Sequence, residues 1–263
     1  MDAFSFGVFA DVQYARRRPQ NHRYYQAALD KVKQYMQRFQ KEQVSFLVHL
    51  GDLIDEPEDE ERAFCYAREA TQVIQASGIP CCYVIGNHDT GSAALPRLAP
   101  LWGWQAGRAF GSFDVGALHF VVLDTNYDAK GRHYTPATHQ WEQSYVSEEQ
   151  LSWLQADLAR TDKQRVMVFA HALLDALDNP HAVRNGWRVR SVLESCGRKV
   201  TVLQGHMHCG YESEQNGIRY YTLPATVEGE SEFCYWIVTV EKSGQMVAKI
   251  VTHEGARTRV IGA

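Results

Sequence analysis

The sequence has no run approaching the ~20 consecutive apolar residues that a membrane-spanning helix needs, so a transmembrane protein is not expected. Its start, Met1-Asp2-Ala3-Phe4-Ser5-Phe6, lacks a basic n-region, and the apolar stretch there is broken by Asp11, so no secretory leader is read. The six cysteines (65, 81, 82, 196, 209 and 234) contain no C-x-x-C pair, and several lie in apolar, strand-like runs. Reduced, buried thiols in a cytoplasmic protein are therefore expected rather than disulfides. Cationic excess is missing too: the net charge is -4, and Arg16-Arg17-Arg18 is the only dense basic run. That excludes bulk attraction for nucleic acid or an anionic membrane and leaves room for a local pocket that takes a small phosphorylated molecule. The three arginines read equally as a solvated loop. No internal repeat, low-complexity tract or linker interrupts the chain, so one domain over 1–263 is expected. Oligomeric state is left open.

What is present is an alternation of short apolar runs with helical patterns. Phe4 to Ala10 reads as a strand. A helix is expected from about His22 to Glu42, because Tyr25, Leu29, Val32, Met36 and Phe39 fall at steps of four, three, four and three and form one stripe. Val44 to Leu50 is nearly all apolar, as a strand covered on both faces should be. The acidic segment Glu56 to Glu61 opens a second helix, which should stop near Gly78 with Pro80 beyond it. Pro80 to Ile85, Ala117 to Leu123, Arg165 to Ala170 and Lys199 to Leu203 are further strands. Ser147 and Gln150 form a capping-box pattern ahead of a Leu151, Leu154, Leu158 stripe. The runs Ile218 to Leu223, Phe233 to Val240 and Met246 to Thr252 read as antiparallel strands. Between Asp124 and Val146 lies a long aromatic segment, more often a lid or binding loop than an idle connector at that length.

Five polar clusters each follow an apolar run: Asp11-Val12-Gln13, Gly51-Asp52-Leu53-Ile54-Asp55, Gly86-Asn87-His88-Asp89, His171, and Gly205-His206-Met207-His208. Ligands of open α/β sheets gather at the carboxyl ends of strands, so all five can converge. The glycines at 51, 86 and 205 suit tight turns there. Asp, Asn, His and Gln together offer oxygen and imidazole donors, which suits manganese, iron or zinc rather than calcium or a thiolate site. A Gly-Asp-x-x-Asp alone is an ordinary turn with a solvated carboxylate, and Gly-His-x-His alone divides evenly between metal site and satisfied histidines. Only the ordered set carries the inference.

That set resembles the calcineurin-like metallophosphoesterase superfamily over nearly the whole span from Asp11 to His208. The resemblance implies a four-layer α/β/β/α sandwich and a hydrolase of phosphodiester or phosphoanhydride bonds that uses two divalent cations. It implies that Asp11, Gln13, Asp52 and His208 hold the first cation, and that Asp52, Asn87, His171 and His206 hold the second, with Asp52 bridging. His88 would be the general acid or transition-state stabiliser at the leaving oxygen. Asp55 and Asp89 would orient their neighbours or serve structure alone. One departure stands out: Gln13 occupies a place where the superfamily usually has His. An amide oxygen is a harder donor than imidazole and favours manganese or magnesium. Asp-x-Gln-Tyr, the pair Tyr24-Tyr25 after Arg23, and the Pro-Cys-Cys run are similar to the manganese-dependent ADP-ribose/CDP-alcohol diphosphatase branch. That likeness implies Mn2+ as the first choice, with iron, zinc or magnesium as alternatives.

Two rival readings stay open. A phosphodiesterase for cyclic nucleotides, or a phosphomonoesterase, would use the same two-metal core and differ only in its pocket. A scaffold that has lost catalysis would lack ligands, above all the His of the third cluster, which is present here as His88. Arg23, Tyr127 and Tyr134 are the candidate substrate contacts, and Trp141 is another ring able to stack on a base. For each ring, plain packing is the commoner fate.

Overall fold

The computed structural model describes residues 3–56, 58–105, 107–176 and 178–262. In chain order the first half runs β1 (Phe4–Phe9), α1 (Tyr25–Lys41), β2 (Phe46–His49), α2 (Glu60–Gln75), β3 (Cys81–Tyr83), α3 (Asn87–Ser92), α4 (Leu95–Leu98), β4 (Gly111–Val115) and β5 (Leu118–Val122). The second half runs α5 (Glu148–Arg160), β6 (Arg165–Ala170), α6 (Gly186–Ser195), β7 (Lys199–Gln204), β8 (Tyr211–Gln215), β9 (Ile218–Thr222), β10 (Cys234–Val240), β11 (Met246–Thr252) and β12 (Gly255–Ile261). The strands form two six-stranded mixed sheets, ordered β12-β11-β10-β1-β2-β3 and β4-β5-β6-β7-β9-β8. No helix among the described residues is long and apolar enough to cross a membrane.

Alternation along each central strand builds the expected four layers. In β1, Phe6 and Val8 point between the sheets while Phe9 packs under α1; in β6, Met167 and Phe169 point between the sheets while Val166 and Val168 face the α5–α6 side. Both faces are therefore apolar, which is why these runs read as continuous. Gly7 sits where a Cβ would lie 2.6 Å from the Phe39 ring, so its lack of a side chain lets α1 lie close on the sheet. At the seam, Phe120 stacks on Phe113 and Phe169 at 5.0 and 5.8 Å and meets Phe6 and Phe46 edge-on at 5.6 and 5.5 Å.

Several expectations change in detail. The first helix begins at Tyr25 rather than His22, because the Tyr24 N–H donates to Val227 O and Arg23 pairs with Gln20 and Glu228, which takes that backbone out of the helix. The second helix starts as read: Asp59 accepts from Arg62 N at 3.0 Å, and Gly78 sits beyond the end at φ +72°. Ser147 caps α5 by accepting from Gln150 N at 3.2 Å, but the Gln150 amide leaves the cap to hold the Asp124 backbone at 2.8 and 2.7 Å. The Ile218–Thr222 strand is not part of an antiparallel tail. It pairs parallel to β7 and antiparallel only to β8, through the Asn216-Gly217 turn, and so closes the second sheet, while β10 and β11 extend the first. The cysteines are free as expected, yet only Cys234 is buried; Cys65 and Cys209 are exposed and the rest half-buried.

Removing the central ring of the seam tests this packing. Phe120→Ala should lower unfolding free energy in urea by about 3–5 kcal/mol. A loss below about 1 kcal/mol would mean that the aromatic cluster does not hold the sheets together.

Candidate metal centre

β1, β2 and β3 run parallel, as do β5, β6, β7 and β9, so strand ends of one polarity are grouped within each sheet. The segments that leave these ends converge. Asp52, at the exit of β2, is the hub. His171 Nε2 lies 3.2 Å from Asp52 Oδ2 and 2.8 Å from Asn87 Oδ1. The ligand atoms of Asp52, His171 and His206 all lie within 4.8 Å of one another. On the other flank His208 Nε2 lies 3.1 Å from Gln13 Nε2 and 3.7 Å from Asp11 Oδ1, and Gln13 Nε2 lies 3.4 Å from Asp52 Oδ2. One oxygen, Asp52 Oδ2, therefore faces both groups, while Oδ1 accepts from His88 N at 2.7 Å. All seven side chains read as metal ligands are brought to this place.

The backbone is bent hard to do it. Asp11, Gln13, Asp52 and His206 have φ of 51°, 45°, 59° and 71°, a left-handed region that costs a non-glycine residue about 1–2 kcal/mol. Asp89 offsets part of that cost. It is fully buried and accepts from Asp52 N and Gly86 N at 2.9 Å each, Leu53 N at 2.8 Å and Ile54 N at 3.2 Å. The glycines serve close approach as much as turns. Only Gly51 has a positive φ, whereas a Cβ on Gly86 would lie 2.1 Å from Asp52 Oδ1 and one on Gly205 would lie 2.7 Å from Asp11 Oδ2.

The electrostatics favour a cation. Burial opposes charge on His171, yet the Asp52 and Asp11 carboxylates outweigh it and raise the imidazole to about 9. Burial likewise works to raise Asp52, but His171 and His88 hold it well below the usual carboxylate range. Burial, then the charge of His171, holds His206 well below its ordinary value, so this ring is neutral. Burial, then the Asp52 charge, pushes Asp89 up to about 7. His171 Nδ1 lies 2.9 Å from Leu50 O and His208 Nδ1 lies 2.5 Å from Glu228 Oε1, which in each ring leaves Nε2 to face the site. Gln13 Oε1 and His206 Nε2 are buried with no hydrogen-bond partner. Oxygen and imidazole donors, two of them unsatisfied, fit divalent cations of the manganese, iron, zinc or magnesium kind.

Beside this set, His88 Nδ1 lies 3.1 Å from Asp55 Oδ1, and Arg17 pairs with the other oxygen of Asp55 while lying 3.9 Å over the Tyr25 ring. Arg16 is held by Glu69 and Tyr14. Two of the three clustered arginines are thus tied into the fold. Arg23 Nε lies 3.6 Å from Glu228, one residue from His208. Tyr127 and Tyr134 are 7% and 4% exposed, and the Tyr134 hydroxyl donates to Gln143 O at 2.8 Å, so both rings pack the loop and neither offers an open face. Sequence reasoning missed Glu228, His139 and His181. Glu228 belongs to no motif, and its one signal is that a metal-binding His needs a partner on its second nitrogen. His139 and His181 come from irregular segments without periodicity; the His139 ring lies against Gly91 of α3, and the His181 ring lies 4.6 Å from that of His206.

Comparison with known proteins agrees with this geometry. A family model described as calcineurin-like phosphoesterase matches residues 4–210. A manganese-dependent ADP-ribose/CDP-alcohol diphosphatase of Danio rerio is 28% identical over 86% of this chain and 88% of its own length. The glycerophosphodiester phosphodiesterase GpdQ of Enterobacter lignolyticus is 26% identical over 74% of this chain and 66% of its own. Among solved structures, a dimetal phosphatase from Danio rerio superposes with a TM-score of 0.76 at 24% identity, covering 98% of both chains.

Glu228 gives a direct test of the site. Glu228→Gln should weaken manganese binding about 10–100-fold in calorimetric titration, because His208 loses its anionic partner. Unchanged affinity would show that Glu228 has no part in orienting His208.

Proposed function

The chain belongs to the calcineurin-like phosphoesterase family, and we propose that it hydrolyses the phosphoanhydride of small nucleoside-diphosphate-linked molecules, ADP-ribose and CDP-alcohols first among them. The observation that carries this reading is the single oxygen of Asp52 facing a donor group on each side. Asp11, Gln13, Asp52 and His208 would hold one divalent cation and Asp52, Asn87, His171 and His206 the second. Manganese is the first choice, supported by the relatives named as manganese-dependent diphosphatases and by the hard amide oxygen of Gln13. Two such cations, when bound, supply Lewis acidity at the phosphoryl oxygens and an activated water.

The chain's own residues supply the rest. His88 is held through Nδ1 by Asp55, which leaves its other nitrogen to give a proton to the leaving oxygen. Burial pulls the His88 pKa down, but the Asp52 and Asp55 carboxylates bring it above its ordinary value. Arg23 is the cation at hand for the phosphate not under attack. Phosphodiester hydrolysis is the second reading, favoured by the similarity to a protein named as a glycerophosphodiester phosphodiesterase.

Metal-stripped protein given back manganese should cleave ADP-ribose or CDP-choline faster than an aryl phosphodiester or a cyclic nucleotide. Cleavage of the diesters alone would move the second reading to the front. Asp52→Asn should abolish manganese-dependent turnover while the circular dichroism spectrum is kept; full turnover in that variant would end the bridging assignment. His88→Ala should retain two cations by elemental analysis and lose about 10²–10⁴-fold in rate, the usual worth of a general acid. Loss of a cation there would make His88 a metal-binding residue instead.

A further inference from the structure

The long segment between β5 and α5 is pinned rather than loose. Asp124 Oδ2 lies 2.9 Å from His133 Nε2, Asn126 Nδ2 donates to Ile85 O at 2.9 Å, and Tyr134 OH donates to Gln143 O at 2.8 Å. Arg184 Nε donates to Glu142 O at 2.7 Å, which ties the segment to the one that carries His181. Glu142 and Gln143 form one 3-10 turn with Trp141. This framework sets the indole of Trp141 5.6 Å from the His206 ring, edge-on at 70°, and 5.0 Å from the His181 ring. Trp141 is half-buried, unlike Tyr127 and Tyr134 in the same segment, and so keeps surface open to a ligand.

We infer that Trp141 is the platform on which the base of a nucleoside-diphosphate substrate stacks while its phosphates lie at the metal centre. The inference rests on the phosphohydrolase reading above and adds to it a residue that selects for a base. His206 reaches the metal centre and Trp141 lies directly against it, so a base on the indole stands about one sugar away from a phosphate held there. Stacking accepts any base, since each has a π face, and adds about tenfold or more in affinity. The His181 ring lies against both the indole and the His206 ring.

The test compares AMP with ribose 5-phosphate as inhibitors of the manganese-loaded protein, with direct binding measured by calorimetry. In the wild type AMP should bind about tenfold more tightly than ribose 5-phosphate. Trp141→Leu should bring the ratio close to one, and Trp141→Phe should keep most of it. Because the ratio cancels any loss common to both ligands, a variant that disturbs His206 does not imitate the effect. An unchanged ratio in Trp141→Leu, or no preference for AMP in the wild type, overturns the platform. Failure of the hydrolytic reading would show separately, as wild-type protein that binds AMP in this way but cleaves no diphosphate.

Discussion

The buried carboxylate of Asp89 is the constraint on which the rest of the site depends. By taking the N–H groups of Asp52, Leu53, Ile54 and Gly86 it joins the exits of two neighbouring strands into one rigid turn. With the bonds from Gln13 N to Asp52 O and from His88 N to Asp52 Oδ1, that anchor holds Asp52 in a left-handed conformation that its side chain disfavours. A buried carboxylate is itself costly, and here four backbone donors offset the cost. Asp89 is fully buried, so its effect on the site passes through the backbone it holds at Asp52 and at Gly86, just ahead of Asn87.

The architecture explains why so much strain can be tolerated in so small a volume. Two stacked sheets each bring parallel strands to a common edge, and a segment leaving such a strand has its backbone fixed by the ladder up to the last residue. The side chains that follow start from rigid points and need only one turn to reach the centre. Close approach then demands residues without side chains, which is what Gly86 and Gly205 supply against Asp52 and Asp11. The aromatic seam around Phe120 lies between the sheets and sets how far apart the two edges stand.

Much of this was legible in the sequence because the central strands are covered on both faces and the polar clusters follow them at once. The strands that escaped notice, β4, β8 and β12, are three of the four sheet edges. β8 and β12 are largely exposed and polar, and β4 alternates over only Phe113 and Val115, although Asn216-Gly217 announces the hairpin between β8 and β9. Sequence alone also could not show that β9 leaves the tail to join the second sheet, since register and partner are tertiary choices. The metal-ligand candidates stood out as an ordered set. Glu228 did not, because it acts through His208, and Trp141 was one candidate ring among three until the pinning of the long loop brought it beside His206.

Gln13 is where this site departs most from a histidine-lined one, and its amide carries an oxygen where imidazole has only nitrogen. A glutamine presents a donor and an acceptor that exchange places by a half-turn about one bond. As it stands, Nε2 faces the lone pair of His208 and the Asp52 carboxylate, while Oε1 is buried without a partner. An unsatisfied buried acceptor costs about 1–3 kcal/mol. Turning the amide would present Oε1 to a cation beside Asp11 and His208 and would put Nε2 where Oε1 now lies, so the turn by itself relieves nothing and the gain would come from the cation. The backbone need not move, because the Gln13 N–H stays bonded to Asp52 O at 2.8 Å through the turn of the side chain. A histidine at this position would offer such a cation a softer nitrogen, whereas the Gln13 amide would offer a hard oxygen.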